Sequence, residues 1–199
     1  MANEYEIRAD FDQHTIVVYQ AYNPIIANSA VKQQRFVSPF SFNRMTWIKP
    51  SFLWLMHRSQ WGRKKGQENI LAIRMKRMGW DSALKYGVLT HPEPGIYQSP
   101  EIWRSEFDRA LVHIQWDTER SLKGKPLNQF SIQVGLSRHI IREFVDDWIV
   151  EIQDITPRVC KIRDLVQHGK VKQARAALPS ERQYQPPLES CRKLMVNAF

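Results

Sequence analysis

Short apolar runs with a two-residue period and longer runs with a 3.6-residue period follow one another irregularly along this chain. That irregularity limits what it can fold into. "HTIVVYQAY" (14–22), "LVHIQWD" (111–117) and "QFSIQVGL" (129–136) are rich in β-branched and aromatic residues, which predicts strands, and "NILAIRMK" (69–76) predicts a short buried strand. In the run at 111–117 Val112, Ile114 and Trp116 face one way and His113, Gln115 and Asp117 the other, as in a half-exposed strand. Helical segments lie between them. Pro24, Pro50 and Pro100 each fall in a first turn, where a missing N–H costs nothing; these helices span 24–36, run from Pro50 to Gly62, and follow Ser99 as N-cap. "GWDSALKYGVL" predicts a helix capped by Asp81. Ser137 caps a long helix over "RHIIREFVDDWIVEI", with Ile140, Ile141, Phe144, Val145, Trp148 and Ile149 at helical spacing. After Asp154 come a helix, a break at Gly169, a second helix and a Pro-rich extended tail. No internal repeat and no βαβαβ rhythm emerges, so the expected class is α+β: a small mixed or antiparallel sheet with flanking helices. The expected organisation is one α+β domain over 1–156, with a basic helical and extended tail over 157–199 packed on it.

Several function classes drop out at once. No apolar run approaches the roughly 20 residues of a membrane helix. The opening "MANEYEIRADFD" is neither a secretory signal nor a transit peptide, so the expected location is the cytoplasm. Cys160 and Cys191 lack a CxxC partner and read as ordinary thiols in a reducing compartment. The six histidines form no HxH or HxxxH pair, so no metal site is expected. There is no P-loop, GxGxxG or GxSxG element.

The net charge of +9 points to an anionic partner, and its distribution is uneven. One basic zone follows Pro157. The other is "RMTWIKPSFLWLMHRSQWGRKK" (44–65), which holds three tryptophans, six Lys or Arg and no carboxylate. Phe52, Leu55, Met56 and Ser59 share one helix face, whereas Trp54, His57, Arg58 and Trp61 share another. Arg44, Lys49 and Arg58 offer donors for phosphate or carboxylate, and Trp47, Trp54 and Trp61 offer flat faces for a ring to stack on. Trp54 and Trp61 equally suit a core, with Arg58 lying across Trp54, and Arg63 to Lys65 suit a solvated turn. Arg44 and Arg58 sit in apolar runs with no acidic neighbour, and a partly buried Arg needs a partner. That partner is either a distant carboxylate such as Asp117 or Glu119, or a ligand. Two weaker constellations are Tyr19, Gln20 and Tyr22 at a strand end, and the polar Gln133 inside an apolar strand.

"VYQAYNPIIANSAV", "RMTWIKPSFLWLMHRSQWG", "ENILAIRM", "IQWDTER", "SIQVGL" and "LPSERQY" together resemble the family called domain of unknown function 4291, over nearly the whole chain. The layout is more distantly similar to the ADP-ribosyltransferase superfamily. That second resemblance implies NAD as cofactor, a first-strand residue and a serine-bearing helix that hold it, and a late-strand Glu that stabilises an oxocarbenium-like transition state. The matching positions are Gln20, with Tyr22 nearby; Arg58-Ser59; and Gln133. Gln20 is neither His nor Arg, and Gln133 is not Glu. A neutral amide orients a ribose hydroxyl but supplies no negative charge. The acid then comes from Asp117 or Glu119, or the chain binds without catalysing. The expected function is binding of a phosphorylated nucleotide, with ADP-ribosyl transfer to nucleic acid or protein. Arg44, Lys49 and Arg58 would take the phosphates, Trp47 would stack on a ring, and Gln20 and Gln133 would take the ribose. The alternative is a non-catalytic module that binds RNA or DNA through its basic zones.

Overall fold

A computed structural model of the chain describes residues 4–196. The elements run β1 (Arg8–Ala9), β2 (Thr15–Tyr22), α1 (Pro24–Gln33), β3 (Thr46–Ile48), α2 (Phe52–Arg58), β4 (Asn69–Lys76), α3 (Arg77–Tyr86), β5 (Gly87–Leu89) and α4 (Pro100–Arg109). Then follow β6 (Val112–Arg120), β7 (Pro126–Leu136), α5 (Ile141–Glu143), a π-helical turn (Phe144–Trp148), β8 (Ile149–Asp154), α6 (Thr156–Gln167), α7 (Val171–Ala176), β9 (Arg182–Gln183) and α8 (Leu188–Cys191). The class is α+β. One antiparallel sheet has the order β2-β4-β8, and a mixed sheet has the order β3-β7-β6-β5, in which only β5 and β6 run parallel. β1 and β9 form a separate antiparallel pair.

The two larger sheets face each other across the main core. Val18, Ile73 and Ile152 lie in register across the first sheet, and Ile114, Val134 and Ile48 lie in register across the second. All six are buried in one cluster. Because side chains alternate along a strand, β2 serves two cores. Ile16 and Val18 enter the main one, whereas Val17 and Tyr19 enter a second core with Phe52, Trp54, Val159 and Ile162. Residues after 157 therefore close this second core, and β9 pairs with β1 near the other end of the chain.

Three sequence expectations give way to tertiary pairing. The helix over 138–152 is cut to α5 and one π-helical turn. Ile140, Ile141, Phe144, Val145 and Trp148 are buried as the helical period requires, but Ile149–Asp154 pairs with β4 and becomes a strand. Asp81 is not a cap, because α3 starts at Arg77 directly after β4; Asp81 lies inside the helix and accepts a hydrogen bond from the Tyr184 hydroxyl (2.5 Å). Gly87–Leu89, read as helix end, is strand β5, and β3 was hidden inside the basic run. The outer edge of β8 is closed by a side chain. Gln34, in the left-handed region (φ 53°), accepts from the Ile152 N–H and donates to the Ile152 carbonyl (both 2.9 Å), as a neighbouring strand would.

Helix α2 is tied down at its start by two glutamate side chains. Ser51, its N-cap, accepts from Trp54 N–H (3.3 Å) and donates to Glu119 (2.6 Å). Glu119 also accepts from the Ser131 hydroxyl, and Glu181 accepts from the Phe52 N–H (2.7 Å). Burial pushes the Glu181 carboxyl up to about 8, and the nearby Glu119 adds to the push. No helix is long and apolar enough to cross a membrane among the described residues. Cys160 and Cys191 are free thiols.

Two outcomes follow from this packing. A Cβ on Gly79 would sit 2.4 Å from the Trp148 ring, so Gly79→Ala should cost about 1–3 kcal/mol, read as a lower Tm at an unchanged spectrum. Glu181 keeps in the folded state a proton that the unfolded chain gives up near its ordinary value of 4.5. Stability from this group is therefore present below that value and falls as pH rises to about 8. Glu181→Gln should flatten the fall of Tm across this window, as followed by thermal denaturation at stepped pH.

Candidate functional site

The site begins at the seam where β2 meets β3. The Tyr19 N–H donates to the Lys49 carbonyl (2.7 Å), and the Gln20 side-chain amide donates to the Trp47 carbonyl (3.0 Å) and to Thr46 Oγ1 (2.6 Å). The Tyr22 hydroxyl shares a hydrogen bond with Thr46 Oγ1 (3.1 Å), and burial pushes it up to about 12. Gln20 and Tyr22 thus bind the two sheets to each other. The remaining oxygen of the Gln20 amide is buried without a partner among the described residues.

Lys49 follows β3 and is only 9% exposed. Its Nζ donates to the same Trp47 carbonyl (3.0 Å) and stands 5.6 Å from the centre of the Trp54 ring. The cation over Trp54 is therefore Lys49, not Arg58 as the one-turn spacing suggested. No carboxylate lies within ion-pair distance of this amine among the described residues. Burial pulls its pKa down to about 7; the charge of Arg58 adds to the fall and that of Asp117 opposes it. A buried amine poised near neutrality, with one carbonyl for company, is an uncommon and functionally suggestive arrangement.

Beside Lys49 an open cleft of about 500 Å³ separates α2 from the polar face of β6, β7 and β3. Period-two alternation makes that face: while Ile114, Ile132 and Val134 turn to the core, Gln115, Asp117, Ser131 and Gln133 turn away from it. A Cβ on Gly135 would come within about 3 Å of the Met45 sulfur and the Trp47 ring, so glycine there leaves room for both side chains against β7. Trp47 and Trp54 give the cleft its aromatic walls. Asp117 is its one carboxylate, held between two amides: Gln115 donates to one oxygen (3.0 Å) and Gln133 to the other. Arg58 and Arg120 supply positive charge. Neither makes an ion pair among the described residues, and the Arg120 Nε is buried without a partner. Two cations of the lining, Arg58 and Arg120, thus stand against a single carboxylate, with the buried Lys49 amine close behind them among the described residues.

The structure brings Trp47, Lys49, Arg58, Asp117 and Gln133 together and leaves the other candidates outside. Arg44 is exposed and lies off the cleft. Arg58 is also exposed, so neither arginine is the partly buried charge expected from the apolar context. Ser59 is fully buried at the end of α2, where its hydroxyl accepts from the Gly62 N–H (3.4 Å). Glu119 is engaged by Ser51 and Ser131 at the start of α2. Sequence reasoning missed Gln115 and Arg120. Gln115 shares a strand face with Asp117 and was within reach. Arg120 was not, because a register shift after Thr118 re-aims the strand end. Among the described residues no cluster of three or more His, Cys, Asp or Glu could hold a metal ion.

Comparison with known proteins adds one relationship. A search of curated proteins found no match. The family model described as domain of unknown function DUF4291 matches residues 6–184, a span that includes both sheets and every residue of the cleft. The chain belongs to the DUF4291 family.

Proposed function

We propose that the cleft between α2 and the β6–β7 face binds a phosphorylated nucleotide, with NAD as the substrate that fits best, and that the chain transfers an ADP-ribosyl group from it. The observation that carries this reading is the charge imbalance around Lys49. Arg58 and Arg120 line the cleft against one carboxylate, and Lys49, buried behind Trp54, adds a third positive charge when protonated. A pyrophosphate is the ordinary chemical complement of such an excess, and Arg58 and Arg120 have unused donors for it. Trp47 and Trp54 suit a planar base or nicotinamide, and a cleft of this size lies within the range of small-molecule sites.

Each residue then has a distinct task. Lys49 becomes fully charged when an anion arrives, since a nearby negative charge raises an amine's pKa. Gln115 and Gln133 hold both oxygens of Asp117, which keeps the carboxylate in place and facing the cleft. NAD would supply a ribose carbon that grows electron-poor as its bond to nicotinamide breaks and both electrons leave with the ring. Asp117 is the negative group available to stabilise that charge, the task the superfamily gives to a late-strand Glu. The neutral Gln133 serves as its positioning residue.

Two experiments test this reading. NAD or ADP-ribose should raise Tm by several degrees at both 50 and 200 mM salt. Arg58→Ala should abolish that shift, and Asp117→Asn should retain it while losing nicotinamide release by about 100-fold or more. No shift with any nucleotide would remove the reading. The second concerns the free protein. Unfolded Lys49 stays protonated up to about 10.5, whereas the folded amine loses its proton near 7, so its cost to stability is full below pH 7 and fades towards 10.5. Lys49→Met should therefore raise Tm at pH 6–7 by an amount that shrinks as pH rises, and should weaken nucleotide binding by roughly tenfold or more.

A further inference from the structure

A second cavity of about 410 Å³ adjoins the cleft, and His57 and Arg58 line both. Lys64 and Trp61 form one side of it, and Ser121 and Gly124 of the β6–β7 turn form the other. Among the described residues no carboxylate lines it. Lys123 and Lys125 stand exposed on the same turn, and Arg63 and Lys65 stand exposed beside Lys64. The basic run at 63–65, which the sequence alone makes a solvated turn, is therefore brought against a second basic turn some sixty residues further along. The backbone here is costly to hold. Gln60, Trp61 and Gly62 are consecutive left-handed residues (φ 53°, 57° and 72°), and for non-glycine residues this conformation costs on the order of 1–2 kcal/mol each. That turn carries Trp61 into the groove wall, with its ring set edge-on to Phe52 at 6.3 Å. Strain of this kind persists where the surroundings over-determine it, and it clusters at functional sites.

We infer that this groove seats a single-stranded nucleic acid, the acceptor of the group transferred in the neighbouring cleft; the acceptor role rests on the nucleotide reading above. Positive charge on both walls suits a phosphate backbone, and a tryptophan in the wall suits a base whose face is free, as in a single strand. An acidic protein would also answer the charge, but a single strand offers regularly spaced anions together with planar bases, which suits two basic walls and a tryptophan. The step balances as follows. An acceptor oxygen or nitrogen forms a bond to the ribose C1′, the C1′–nicotinamide bond breaks with its electron pair leaving on nicotinamide, and the acceptor's proton passes to His57. His57 stands where the two cavities meet. Loss of surrounding water, with the Arg120 charge adding to it, holds its imidazole below the ordinary value, so it is neutral and able to take a proton at pH 7.

The test uses the full chain and a fluorescent single-stranded oligonucleotide of about a dozen nucleotides, read by anisotropy. Affinity should fall about tenfold or more between 50 and 200 mM salt. The double variant Lys64→Glu with Lys123→Glu should weaken oligonucleotide binding at least tenfold, by anisotropy at fixed salt, and leave the thermal shift with NAD unchanged. His57→Gln should keep both kinds of binding and lose transfer of label from adenosine-labelled NAD to the oligonucleotide. Oligonucleotide affinity indifferent to the charge reversals would overturn the proposal. So would label that reaches added protein but not the oligonucleotide, which would make the acceptor a protein. Groove-dependent oligonucleotide binding without any NAD shift would uphold the docking surface and sink the nucleotide reading of the cleft.

Discussion

The carbonyl oxygen of Trp47 holds this site together. It accepts the Gln20 amide from β2 and the Lys49 ammonium from its own strand end, both at 3.0 Å. The first bond, with the Tyr19 N–H to the Lys49 carbonyl, ties the antiparallel sheet to the mixed one. The second keeps the Lys49 amine buried beside Trp54 and away from bulk water. One carbonyl thus links the join of the fold to the charge in the cleft. A change at Gln20 would act on the site through the backbone of β3 even though Gln20 lies outside it.

The cleft is organised against stability. A buried amine with no ion-pair partner and a buried Arg120 Nε with no hydrogen-bond partner, both among the described residues, raise the free energy of the folded chain, as does the left-handed Gln60–Trp61 turn of the adjoining groove. Acidic side chains that might relieve this are occupied elsewhere. Glu119 and Glu181 anchor the start of α2, and Asp117 is engaged by two glutamines. Folding tolerates these costs because two cores packed on opposite faces of β2 supply the driving force. Unrelieved positive charge beside a cleft is what an anionic ligand would relieve.

Much of the architecture is legible because its period is local. Strands β2 and β4 match the alternating runs almost residue for residue, and the Pro-marked starts of α1 and α4 hold with Asn23 and Ser99 as caps. Failures arise where a distant partner decides. Ile149–Asp154 carries a helical stripe up to its first residue, yet β4 offers an unpaired edge and draws it into a strand. Thr46–Ile48 is too short to show a period and becomes strand only by pairing with β7. The candidate site divides in the same way. Trp47, Lys49, Arg58, Asp117 and Gln133 come from four segments, and the alternation along β6 and β7 turns Asp117 and Gln133 away from the core towards α2. The lone charges of Arg44 and Arg58 suggested burial that exposure refutes, and the burial belongs to Lys49. No pattern in sequence shows that a lysine following a three-residue strand will be turned inward.

The claim at the centre is that Lys49 is a near-neutral amine awaiting an anion, and its ionisation can be read directly. Isotope-edited NMR of the lysine side chains, titrated across pH 5–11 with and without NAD, gives the value for each amine. One lysine, lost in Lys49→Met, should titrate at about 7 in the free protein and move upward when NAD is bound. A Lys49 signal that titrates with the surface lysines near 10.4, or that is unmoved by NAD, would contradict it.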